Sequence, residues 1–151
     1  MRPEWLGAPL AVPSEIHRQE ALSHQGQLTK PPGSLGVLEK IAVDFAGWQQ
    51  KAIPKLEKLK IVVFAGDHGV VASGVSAFPQ SVTVEMVKNF SRGGAAITVL
   101  AKHLNANFEV VDVGTVNDPG PLPGVISSRV GAGTADMSQG AAMDEKQLYA
   151  A

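Results

Sequence analysis

Residues Lys60–Val87 read KIVVFAGDHGVVASGVSAFPQSVTVEMV, and this stretch decides the fold class. Ile61–Ala65 is a continuous apolar run rich in β-branched residues and closed by Gly66. Such a run predicts a strand buried on both faces, as a parallel sheet requires. Asp67, His68 and Gly69 then fall at the carboxyl end of a central strand, where open α/β sheets bind ligands. Gly74 and Ser76 follow in a loop, then Phe78–Pro79. Pro79 suits the first turn of a helix, and Val82, Met86 and Phe90 recur along it at four-residue spacing.

Downstream, Ser91–Gly94 interrupts that helix. Ile97, Leu100, Ala101 and Leu104 mark the next at i, i+3, i+4 and i+7, with Asn105 as a left-handed stop. Phe108–Gly114 is the second strand, also ending in an acidic residue and a glycine. Strand, helices, strand predicts a right-handed parallel crossover. Asn117–Gly124, with three prolines, is a loop. Val125–Val130 is a third, shorter strand and Gly131–Thr134 a turn. Asp144-x-x-Gln147 has the form of a capping box.

Upstream, residues 1–13 carry three prolines and no periodicity, which predicts an irregular arm. Ser14 caps a helix running to about Leu28. Pro31 and Pro32 break it, and Ser34 caps a second helix ending near Gln50. Leu38, Ile41, Phe45 and Trp48 form that helix's apolar face. Two helices before the first strand predict a separate small helical subdomain. The final helix is short, and isolated helices under about 12–15 residues are marginal. A parallel sheet of two or three strands also leaves its edges uncovered. The chain therefore reads as the N-terminal part of a larger fold.

Composition narrows the function classes. Of 151 residues, 44% are hydrophobic and 18% charged, which describes a globular chain. A net charge of -1 without a basic block argues against nucleic acid or an anionic membrane as main partner. No run of 18 apolar residues predicts a membrane span, and Pro3, Glu4 and Pro9 interrupt any secretory pattern. With no cysteine there is no disulfide framework and no thiolate metal site, and the cytoplasm is the default location.

Several residues carry a chemical reading beside a plainer one. Asp67 and His68 are an acid/base pair, a metal site or substrate-positioning groups, or else a loop-capping carboxylate and a histidine in a polar niche. His17, His24, His68 and His103 lack ligand spacing, so no metal site is expected. Gly131-x-Gly133-x-x-Asp136 is a dinucleotide fingerprint without its third glycine or leading strand. Phe78 and Met86 line either a core or an apolar pocket. Gly94 opens the fourth helix, as an anion site or a tight turn.

Taken in order, Lys30-Pro-Pro-Gly-Ser-Leu-Gly36 with Leu38-Glu39, Asp67-His-Gly-Val70, Gly74–Pro79, Val82-Thr83, Arg92–Ala96 and Val111–Gly114 carry a resemblance. Gly140 and Ala142-Met143 extend it. From about Leu28 onward the chain resembles the nicotinate-nucleotide–dimethylbenzimidazole phosphoribosyltransferases of cobalamin lower-ligand synthesis. The resemblance implies a Rossmann-like parallel sheet, incomplete here, in residues 59–151. It also implies an N-terminal arm and helical hairpin of a small domain in residues 1–58. It implies an enzyme roughly twice this length, a homodimer without metal or organic cofactor. That enzyme moves phosphoribose from nicotinate mononucleotide to 5,6-dimethylbenzimidazole, giving α-ribazole 5′-phosphate and nicotinate. Residues matching Phe78 and Met86 lie beside the family's benzimidazole slot. Asp67, His68 and Ser76 are the further substrate-binding candidates. The family's general-base glutamate falls downstream of these 151 residues, so neither Glu85 nor Glu109 is assigned to catalysis and the isolated chain is expected to be inactive. Two other readings stand beside this one: a non-catalytic module binding an aromatic base, and a half-protein requiring a C-terminal partner.

Overall fold

A computed structural model describes residues 4–151, which form two compact units, Glu4–Glu57 and Lys58–Ala151. The first unit holds a 3-10 turn at Glu4–Gly7 and helices α1 (Glu15–Gln27) and α2 (Val37–Gln49). The second holds β1 (Lys60–Gly66), a 3-10 turn at Gly69–Ser73, α3 (Ser81–Ser91) and α4 (Ala96–His103). It continues through β2 (Asn107–Gly114), β3 (Val125–Ser127) and α5 (Glu145–Ala150).

In the first unit Ser14 caps α1 as its position predicts, its hydroxyl accepting from the His17 backbone N–H. The start of α2 differs from expectation. Gly36, at φ +54°, is the N-cap, and Ser34 sits in the preceding turns, its own N–H donated to the Pro31 carbonyl. Glu39 organises those turns instead, accepting from Leu35 N at 3.2 Å and from Lys30 Nζ at 2.7 Å. The buried side of α2 also differs. Ala21 of α1 clusters with Val43 and Ala46, and Arg18 lies across Gly47, where a Cβ would meet its Nε at 2.8 Å. Leu38, Ile41, Phe45 and Trp48 fall on the opposite side at 100° per residue and are exposed, Trp48 by 62%. On this small-residue side Arg18 of α1 covers Gly47 and pairs with Asp44 at 3.0 Å.

The second unit is built on a parallel sheet in the order β1–β2–β3. Among the three described strands β2 lies in the middle. Ala65, Val87 and Val110 form the core, with Val63, Phe90, Phe108, Leu122 and Val125 packed round it. Phe90 and Phe108 meet with ring centroids 6.1 Å apart. α3 contacts both β1 and β2, and α4 contacts β2. The two-sided burial expected of β1 is not met. Ala65 is buried, whereas Phe64, on the alternate face, is 70% exposed. Among the described residues α3, through Val87 and Phe90, packs on the Val63–Ala65 side, and side chains alternate along a strand. Asn105 takes the left-handed conformation foreseen for it, at φ 52°. Regular β3 pairing stops at Ser127, short of the expected Val130. Beyond it, single bonds continue from Ser128 N to Asp112 O and from Val130 N to Val113 O. The Asp144 capping box on α5 is complete, with Asp144 and Gln147 each accepting from the other's backbone N–H.

Candidate substrate-binding site

The carboxyl ends of β1 and β2 lie side by side because the strands are parallel and paired from Lys60/Asn107 to Gly66/Gly114. Each strand delivers a buried aspartate there. Asp67 is 5% exposed and Asp112 1%. A buried carboxylate must find donors, and each of these does so.

Asp67 Oδ1 accepts from Thr83 Oγ1 at 2.6 Å and Oδ2 from Val116 N at 2.8 Å. Its carbonyl accepts from Thr134 N at 3.0 Å, and its N–H donates to Gly114 O at 3.0 Å. Asp112 Oδ1 accepts from Gly114 N at 3.0 Å and Thr115 N at 2.8 Å. Its Oδ2 accepts from Thr115 Oγ1 at 2.8 Å and from Arg129 Nη1 at 3.2 Å. Burial is the largest single influence on the Asp112 carboxyl and pushes its pKa up. The donors from Thr115, Arg129 and Gly114 together outweigh it and hold the pKa below the usual carboxylate value.

His68 is exposed, with Nδ1 3.4 Å from Thr134 Oγ1, while its carbonyl accepts from Gln80 Nε2 at 3.1 Å. That last bond ties the N-cap of α3 to the end of β1. Ser76 folds the loop locally: its hydroxyl donates to Phe78 O at 2.9 Å and accepts from Phe78 N at 3.2 Å. Phe78 is 69% exposed, a large apolar ring held out on a braced turn. Met86, one to two turns along α3, lines an open groove of about 610 Å³. Val82, Glu85, Asn89 and Arg92 line the groove on the α3 side, and Asn117 lines it from the turn after β2.

Asp67 and Met86 are thus linked through the first turn of α3, and Ser76 braces Phe78. Phe78 and His68 stand outside the groove's lining. Thr83, Val116 and Asn117 complete the arrangement. Thr83 belongs to the Val-Thr pair already conspicuous in the sequence, but no local pattern announces Val116 or Asn117, which reach the site only through strand pairing. Arg129 likewise gave no signal. The glycine pair Gly131/Gly133 is explained by packing: Gly133, at φ +81°, leaves a Cβ position only 3.2 Å from Asp67 O. The Asn89 side chain occupies the space beside Gly94, so that turn is filled from within the chain. Among the described residues no group of three or more His, Asp or Glu is placed to hold a metal, and no helix is long and apolar enough to cross a membrane.

Parallel α/β architecture with ligand-type loops at the strand ends defines the class. The chain belongs to the family described as Phosphoribosyltransferase, whose family model matches residues 10–151. It is 52% identical over 148 residues to a nicotinate-nucleotide–dimethylbenzimidazole phosphoribosyltransferase of Xanthomonas axonopodis pv. citri, covering 98% of this chain and 42% of that protein. A Pseudomonas fluorescens protein of the same name is 54% identical over 143 residues, 95% of this chain and 40% of its own. The crystal structure of the Thermus thermophilus protein of that name superposes with a TM-score of 0.85 at 43% identity, over 91% of this chain and 42% of that one. The resemblance carried by the KPPGSLG and DHGV segments is therefore matched over nearly the whole chain. The chain spans about two fifths of the length of these relatives.

Proposed function

We propose that this chain is the N-terminal part of an enzyme that transfers phosphoribose from nicotinate mononucleotide to 5,6-dimethylbenzimidazole. The observation that carries the reading is the 52% identity to an enzyme of that name over 148 of these residues. In this reading Lys58–Ala151 opens the large domain and the unit before it contributes to a small helical one. Met86 lines a flat slot for the benzimidazole, and Phe78 stands beside it at the slot's edge. Ser76 shapes the turn that presents Phe78, and His68 flanks the slot.

The chemistry defines what the whole enzyme must supply. One benzimidazole nitrogen attacks the anomeric carbon as the other loses its proton to a carboxylate base at hydrogen-bond range. The bond to nicotinate breaks with its electron pair returning to the pyridinium nitrogen, which leaves neutral. Aligning two bound reactants supplies much of the rate. In this reading the base and the phosphate-binding segments lie downstream of these 151 residues. The full-length enzyme acts in the cytoplasm as a homodimer on these two small molecules.

The test is a chimera in which this chain replaces the matching residues of the Xanthomonas protein, assayed for α-ribazole 5′-phosphate beside the chain alone. The chimera should form product and the chain alone should not. A folded chimera without turnover overturns the reading, and turnover by the chain alone overturns the assignment of the base to the missing part.

A further inference from the structure

We infer that Asp67 is a positioning residue: its carboxylate clamps α3 to the turn after β2 and thereby sets the distance between the two walls of the groove. The occupant of that groove rests on the function proposed above, but the clamp itself does not.

The two walls come from different parts of the chain. α3 supplies Val82, Met86, Asn89 and Arg92, and the turn after β2 supplies Asn117. Asp67 is bonded to both, through Thr83 Oγ1 on α3 at 2.6 Å and through Val116 N, next to Asn117, at 2.8 Å. Being 5% exposed with both oxygens engaged, the carboxylate is spent on protein donors rather than presented to a ligand. Bonds to an ionised acceptor are shorter and stronger than neutral ones, which suits a clamp. Two further bonds anchor α3, the second of them to the far end of the loop that Asn117 begins. Gln80 Nε2 holds the His68 carbonyl, and Ser91 Oγ holds the Pro123 carbonyl.

The turn itself is held by both strand-end aspartates. Gly114 N and Thr115 N donate to Asp112, and Val116 N donates to Asp67. Three successive backbone N–H groups are therefore bound by protein carboxylates. Releasing the Val116 bond loosens the wall that carries Asn117, whose carbonyl then keeps only its bond from Thr115 Oγ1 at 2.9 Å.

Two measurements test this. In the 151-residue chain, amide hydrogen exchange is followed in Asp67→Asn and Thr83→Val. Asp67→Asn should speed Val116 exchange by on the order of tenfold or more, leaving Val63 and Val110 unchanged. An unchanged Val116 rate overturns the clamp. In the chimera, Thr83→Val should raise the KM for dimethylbenzimidazole about five- to tenfold with kcat and the KM for nicotinate mononucleotide within about twofold, and Thr83→Ser should restore it. Equal losses in all three parameters, or no rescue by serine, overturn the role in groove width. An inactive chimera removes the functional reading alone, and the clamp is then decided by exchange.

Discussion

Replacing Gly69 by alanine tests the joint between β1 and the 131–136 turn. A Cβ at this position would lie 2.7 Å from Ala135 C, 2.7 Å from Asp136 N and 2.8 Å from Thr134 O. All three are backbone atoms, so no side chain can swing away. Ordinary contact begins near 3.4 Å, so the facing backbone must retreat by about 0.7 Å, from 3.4 minus 2.7. Two bonds cross this joint, Gly69 N to Thr134 O at 3.1 Å and Thr134 N to Asp67 O at 3.0 Å. The same retreat stretches them to about 3.7–3.8 Å, beyond hydrogen-bonding range. Two lost bonds at about 1 kcal/mol each, with about 1 kcal/mol or more of overpacking, give a destabilisation of about 3 kcal/mol. Gly74→Ala is the control. It has φ +74° and open space around it, so only the left-handed backbone penalty applies, about 1 kcal/mol. Urea unfolding followed through the Val63 and Val110 amides reads the unit that contains the joint. A Gly69→Ala variant within about 0.5 kcal/mol of the parent, or no less stable than Gly74→Ala, refutes the reasoning.

Arg129→Met should destabilise by about 2–3 kcal/mol at pH 7, because it removes a charged donor from the buried Asp112. Since the folded pKa of Asp112 is depressed, its contribution is complete above the unfolded value of about 3.9 and is lost as pH falls below that through the folded value. The difference between Arg129→Met and the parent should therefore shrink on going from pH 7 to about pH 3, and a constant difference in urea titrations counts against the Asp112–Arg129 pairing. Lys30→Gln should move the Glu39 carboxyl up toward its ordinary value, since the Lys30 hydrogen bond is the main cause of its lowered pKa, followed by the Leu35 N–H. A side-chain carbon titration by NMR that finds no upward movement removes Glu39 as the organiser of the 30–36 turns. Phe78→Ala should leave stability within about 0.5 kcal/mol, because the ring is mostly exposed, yet weaken acceptor-base binding in the chimera. A large stability loss with unchanged KM would place Phe78 in the core instead.

The elements of this chain are local in origin, and most were legible. Ser14, the Asp144 capping box, Asn105 and the β-branched run 61–63 act through bonds to near neighbours or through backbone preference, so sequence spacing suffices to locate them. The start of α2 was misplaced because Glu39, in reaching back to Lys30 and Leu35, and the left-handed Gly36 override Ser34 as an N-cap. The site was legible in its motifs but not in its bonding. Asp67 and Ser76 stood out, whereas the partners of Asp67 lie 16 and 49 residues away.

By itself, then, the sequence determined the order of helices and strands, the parallel α/β class and the family, because helical period, apolar runs and turn residues operate over a few positions. The tertiary structure decided which face of α2 is buried, which face of β1 α3 covers, and what the strand-end aspartates hold. Those outcomes depend on which distant segment arrives alongside. Arg18 lies across Gly47, and the 2.6 Å and 2.8 Å bonds of Asp67 join α3 to the turn after β2. No pattern within one segment encodes such a meeting; it follows from strand register and the close packing of helices on the sheet.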